Sequence, residues 1–329
     1  MASLVLFSHA FPLTGRSEPI TQLTGGITGG AIAVVGFFFI SGFLVTLSWL
    51  RLKSPLKFVV HRIFRIWPAL LIALVFGALL GVFVSEADSP AAWASAWHYI
   101  AGNLPLVMGI QFHIEGAFVN NPNTGINGSL WTLEWELFCY IALCILGVLG
   151  GLSGRIRPFF TTIGIMLAIH QIASYDLTYF RDSVEIALIL FTFALGALSY
   201  FIHDRFGGIT LVVVLFSLSA LSFLLSGDLK LIVPVFVISG VIAFISFAAW
   251  LPDGDARNDT SYGIYIYAFP VQQWVVWFYP ECGPYENMFI AFPIVYLLAL
   301  LSWRYVEKPM ILQAKLLFKR GKADEEVPG

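Results

Sequence analysis

The side chains of this sequence that could do chemistry are a histidine near its start, two glutamates one residue apart, and two arginines three apart. His9 stands in VLFSHAFP, four residues before the outer end of an apolar segment from Ala2 to Leu13, roughly 6 Å below the membrane interface by helical rise. Ionisable groups at membrane depth are costly and are functional candidates by default. An imidazole can take the proton of an attacking hydroxyl near neutral pH, and a dry pocket would sharpen that effect. It can equally do no more than hydrogen-bond a neighbouring helix. Glu134 and Glu136 lie in NGSLWTLEWELFCYIAL, with Trp131 and Trp135 suited to an interfacial aromatic belt. Glu136 falls about 10 Å inside by helical rise, a depth similar to that of His9. A carboxylate orienting or charging the imidazole is therefore one role for it, and a structural hydrogen bond to an indole or arginine is the other.

Arg62 and Arg65, in HRIFRIWPAL, share one face of a helix because they are three apart. Guanidinium forks suit phosphate, although basic residues at cytoplasmic helix ends also serve as topological anchors. Ser41, in GFFFISGFL, has no evident adjacent base and reads as a small residue at a helix contact. Asp259 or Thr260 is expected to cap a helix, and Arg304 and Glu307 to pair at i,i+3. The remaining histidines, His61, His98, His113, His170 and His203, show no metal-ligand spacing, so no bound metal is expected. No Gly-rich phosphate loop, dinucleotide fingerprint or nucleophile elbow occurs.

The elements that must position these groups are membrane helices. Of 329 residues, 58% are hydrophobic and 12% charged, against roughly 25% charged in a soluble domain. Apolar runs continue almost end to end, near Ala2 to Leu13, Thr28 to Leu50, Phe58 to Val84, Ser129 to Gly150, Phe159 to Ile172, Val184 to Ile202, Gly208 to Leu225, Leu229 to Trp250, Ser261 to Tyr279 and Asn287 to Val306. The fold class predicted is all-α, a polytopic transmembrane helical bundle of about ten spans. The first run would cover only about 20 Å as helix, so a truncated or re-entrant first span is expected. Residues 1–317 form one membrane domain, with an outer loop over 85–128 and a disordered cytoplasmic tail over 318–329. The outer loop holds Trp93, Trp97 and no Lys or Arg, and reads as a lid, an acceptor platform or an interfacial segment. The basic residues sort by loop: only Arg16, Arg181 and Lys230 fall on one side and all others on the opposite side, which puts both termini in the cytoplasm. A net charge of -2 gives no reason to expect nucleic acid as a partner.

Four segments together resemble the acyltransferase 3 family of integral membrane O-acyltransferases. They are VLFSHAFP, FFFISGFL followed by HRIFRIWP, SLWTLEWELFCY, and DTSYGIYIYAFP with SWRYVEKP. Their order covers nearly the whole chain and looks like the subset that acetylates bacterial surface polysaccharides or lipooligosaccharides. The resemblance implies a multi-pass protein of the bacterial inner membrane, with acetyl-CoA or another acyl-CoA as co-substrate and no bound cofactor. The acceptor implied is a glycan or lipid-linked saccharide. It implies His9 as catalytic base, Arg62 and Arg65 as an essential basic motif that meets the acyl-CoA phosphates, and Glu136 rather than Glu134 as the family's glutamate. Family members usually carry an arginine upstream of that histidine on the first span, a position this chain does not reach. The alternative function is a secondary transporter with His9 and Glu136 as a proton relay. It predicts repeated halves with matching broken helices, and the sequence displays no such symmetry.

Overall fold

The computed structural model describes the backbone of residues 1–24, 26–107, 109–154, 156–175, 181–222, 233–247 and 258–323, and the side chains within those ranges except 167–184 and 319–323. Among the described residues the regular structure is helical throughout, without strands. In chain order the helices are α1 (Ala2–Leu13), α2 (Pro19–Thr24), α3 (Gly29–Leu52), α4 (Pro55–Val84), α5 (Ser89–Asn103), α6 (Trp131–Val148) and α7 (Arg157–Tyr175). There follow α8 (Arg181–Phe206), α9 (Gly208–Ser222), α10 (Val233–Phe247), α11 (Ser261–Phe278), α12 (Pro284–Ser302) and α13 (Lys308–Ala323). The helix class follows from apolar runs with few internal charges, since backbone groups in hydrocarbon must be satisfied within their own segment.

Five stretches are long and apolar enough to cross a bilayer: Gly29–Leu52, Pro55–Val84, Gly128–Val148, Glu185–Phe206 and Pro284–Phe318. Ala2–Leu13, Gly208–Ser222 and Val233–Phe247 are shorter apolar helices. Large apolar side chains such as Leu79, Phe83, Phe289 and Leu297 point outward. Such exposure is a liability in water and the normal state of a surface solvated by lipid. Parts of the seventh and eighth expected spans lie outside the described residues, as do Arg155, Lys230, Arg257 and the tail from 324. Helix α13 continues past Leu317 to Ala323.

The chain forms two compact units, one of Met1–Gly30, Val59–Glu134 and Asp255–Gly329, the other of Ala31–Phe58 and Trp135–Gly254. At the centre of the first unit is α11, whose residues from Gly263 to Gln273 are all buried. It packs against α1 and α12, which also touch each other. The segment between α4 and α6 is a folded cap. Helix α5 turns Ala92, Ala96 and Tyr99 inward and leaves Trp93 and Trp97 exposed. Buried Asn103 then donates to the Gln111 carbonyl and accepts from its amide, both at 2.8 Å, which folds the loop back on the helix.

In the second unit α7 packs on α8, and α8 to α10 surround a core that includes Phe191, Leu195, Leu211, Leu215 and Phe236. Helix α3 crosses α8 at a pair of glycines. A Cβ added at Gly42 would stand 2.1 Å from the Phe193 carbonyl oxygen, and one added at Gly196 would stand 2.1 Å from that of Phe39. Small residues let backbones approach this closely in membranes, where hydrophobic burial does not drive helix association.

Candidate active site

His9 is held by the elements on either side of its helix. Its ring packs edge-to-face on Phe269 of α11, with centroids 5.1 Å apart. Phe269 in turn fills the space over Gly128, where a Cβ would come within 2.5 Å of the ring. One residue before the histidine, Ser8 donates to Glu18 at 2.9 Å, and the other oxygen of that buried carboxylate accepts from the Gly29 amide at 2.8 Å. Glu18 thus places negative charge at the amino end of α3, where the helix dipole favours it. On the preceding turn, Gln272 of α11 donates to the Leu6 carbonyl at 2.9 Å and to Asn287 of α12 at 3.0 Å. Pro12 has no amide proton to offer the Ser8 carbonyl, so the last turn of α1 is loosened just beyond the histidine. The His9 Nδ1 is buried and meets no hydrogen-bond partner among the described residues. An imidazole nitrogen in that state can accept a proton from a hydroxyl brought to it.

A second cluster in the same unit gathers around Arg65. Its two terminal nitrogens meet Asp259 at 2.6 Å and Glu307 at 3.5 Å. The guanidinium carbon lies 5.9 Å from the ring centroids of both Tyr262 and Trp303. Glu307 is buried and accepts from Ser302 at 2.9 Å. The Tyr262 hydroxyl donates to the Ile66 carbonyl at 3.2 Å, a second link between the start of α11 and α4. Asp259 accepts from the amide and hydroxyl of Ser261, as a residue at a helix start should. Partial burial pushes the Asp259 pKa up, but the Arg65 guanidinium and the Ser261 bonds outweigh it and hold the carboxyl below its usual range. It is therefore charged at neutral pH. A further anion about 5 Å from the Asp259 carboxylate would be repelled by it by roughly 3 kcal/mol per unit charge at an effective dielectric near 20.

The expected Arg304–Glu307 pair does not form. Residues Trp303–Glu307 make a π-helical turn between α12 and α13. The wider turn rotates Glu307 away from Arg304 and toward Arg65. Arg304 is exposed, with its guanidinium 5.7 Å from the Tyr305 ring centroid. Arg62 lies one turn before Arg65 on α4, half-buried.

The two glutamates of α6 part company. Glu134 belongs to the first unit and accepts from the Gly109 amide at 3.4 Å. Glu136 belongs to the second, where the hydroxyl of Tyr140, one turn further on, donates to its carboxylate. Ser41 of α3 donates to the Tyr140 hydroxyl at 3.4 Å, so a chain of hydroxyls ends on Glu136. His9, Arg62 and Arg65 thus share the first unit. Sequence reasoning passed over Glu18, Gln272 and Phe269. The first sits in a polar loop, and the other two look like ordinary members of a packed helix. Among the described residues, no three His, Cys, Asp or Glu side chains converge as metal ligands would.

Against known proteins, a family model described as an acyltransferase domain matches residues 2–304. The O-acetyl transferase of Shigella phage Sf6 is 32% identical over 329 residues, covering 95% of this chain and 94% of that protein. Nodulation protein 10 of Rhizobium leguminosarum bv. viciae is 25% identical over 355 residues, covering 97% of this chain and 93% of that protein. No solved structure matches the chain.

Proposed function

Because this chain belongs to the acyltransferase 3 family, a membrane acyltransferase family whose model spans residues 2–304, we propose that it transfers an acetyl group from acetyl-CoA to a glycan hydroxyl. The observation that carries the reading is His9, with a buried Nδ1 that no protein group occupies among the described residues and a helix fastened on both sides of it. The similarity to a relative named O-acetyl transferase supports acetyl as the group moved. The donor is cytoplasmic, and its phosphates lie at the start of α4, at Arg62. The acceptor is an extracytoplasmic or lipid-linked saccharide. The protein resides in a bacterial inner membrane with both termini in the cytoplasm, as the distribution of basic residues favours.

In the reaction, His9 removes the acceptor hydroxyl proton as the oxygen attacks the thioester carbonyl. The carbon–sulfur bond then breaks, and the proton passes to the departing CoA thiolate. Glu136 is a further residue required for transfer, its carboxylate fixed by Tyr140. A membrane location suits a reaction whose donor and acceptor are confined to opposite faces of a bilayer.

The test is NMR of surface polysaccharide from a deletion strain complemented with wild type or with His9→Ala. Wild type restores ester-linked acetyl signals, and His9→Ala gives about 10²–10⁴-fold less transfer, the usual contribution of a general base. Wild-type acetylation by His9→Ala overturns the scheme. Acetyl signals unaffected by deletion overturn the acceptor class.

A further inference from the structure

Resting on the acyl-CoA reading above, we infer that Arg65, which has two carboxylates beside it, does not take the donor phosphates and is instead a positioning residue. It locks the start of α11 to α4 and to the π-helical turn, and so steadies the helix on which His9 rests. One terminal nitrogen of Arg65 donates to Asp259 at 2.6 Å, and the other lies 3.5 Å from a Glu307 oxygen. Tyr262 and Trp303 lie against the guanidinium at 5.9 Å each. Asp259 already matches the charge of this guanidinium, and a phosphate placed there would lie against that carboxylate. The buried Glu307 needs this cation whenever it ionises, since a carboxylate is stable in that form away from water only when paired.

The mechanical consequence runs along α11. Asp259 stands two residues before the helix begins, and Phe269 lies ten residues further on, about 15 Å along the axis. A buried helix transmits a shift at its start to the ring that touches His9. Arg65 thereby governs the geometry of the proton-accepting group without touching either substrate.

Two measurements on protein in lipid nanodiscs or membrane vesicles separate the roles: acetyl-CoA affinity by calorimetry, and transfer of labelled acetyl to surface polysaccharide at saturating donor. Arg62→Gln weakens acetyl-CoA binding by about 10- to 100-fold, as loss of a charge-assisted phosphate contact should. Arg65→Gln keeps affinity within about threefold of wild type while saturated transfer falls by at least about tenfold. Neutralising the partners in the triple variant Arg65→Gln, Asp259→Asn, Glu307→Gln restores at least part of that transfer, because no buried carboxylate is left uncompensated. The inference is overturned if Arg65→Gln loses affinity as Arg62→Gln does, or if a well-folded triple variant remains as slow as Arg65→Gln. A wild-type protein that does not bind acetyl-CoA instead overturns the donor reading itself.

Discussion

A histidine becomes a base only if something holds its ring still and leaves a nitrogen available. Here Phe269 provides the wall and Gly128 provides the room for Phe269. Gly128→Ala places a methyl group where the ring now sits, 2.5 Å from its nearest carbon, and the ring must slide against the imidazole. Since small misplacements of reacting groups cost up to about a hundredfold, Gly128→Ala is expected to slow acetyl transfer by at least about tenfold while the protein stays folded. Assays of vesicle-bound enzyme check this, and an unchanged rate would mean that Phe269 does not set the imidazole. His9 was legible in the sequence because an ionisable group in an apolar run is conspicuous. Glu18 was not, because it stands beside Arg16 and Ser17 in a polar loop. Only the folded chain takes it to Ser8 on one side and the Gly29 amide on the other.

Among the elements, helices were readable from apolar runs and their partners were not. The spacing of Arg304 and Glu307 predicts a pair on regular helix, yet a π-helical turn at those residues hands the carboxylate to an arginine some 240 positions earlier in the chain. Similarly, Gly42 and Gly196 are unremarkable in sequence, and their meaning lies in reciprocal backbone contacts across the α3–α8 crossing. Gly42→Ala drives a methyl group to 2.1 Å from the Phe193 carbonyl oxygen, so the helices must part. An overpacking cost of about 1–3 kcal/mol is expected, seen as a lower midpoint of thermal unfolding in detergent. The same substitution at Gly164 of α7, where an added Cβ meets nothing within 4 Å, serves as the comparison. If Gly42→Ala melts with wild type, the crossing is looser than these distances state.

For the whole molecule, the hydropathy of the chain and the sorting of its basic residues carry different information. Hydropathy accounts for the helical membrane fold and for outward-facing Leu79, Phe83 and Phe289. The sorting assigns sides, because Lys and Arg are retained on the cytoplasmic side of short loops. It requires the folded cap between α4 and α6, which lacks Lys and Arg over residues 85–128, to be outside, and α13, with Lys308 and Lys315, to be inside. Single cysteines report this directly in a background where Cys139, Cys144 and Cys282 are replaced by alanine. Glu115 and Lys315 are both exposed, so neither position is shielded by packing. A membrane-impermeant maleimide applied to intact spheroplasts should label Glu115→Cys fully. Lys315→Cys should be labelled only after lysis. The reverse pattern would invert the protein and put the α4 arginines on the side where no acyl-CoA is found. Labelling of both in intact spheroplasts would mean that an even number of spans separates them, and the alternation of charge along the chain would have to be read again from α6 onward.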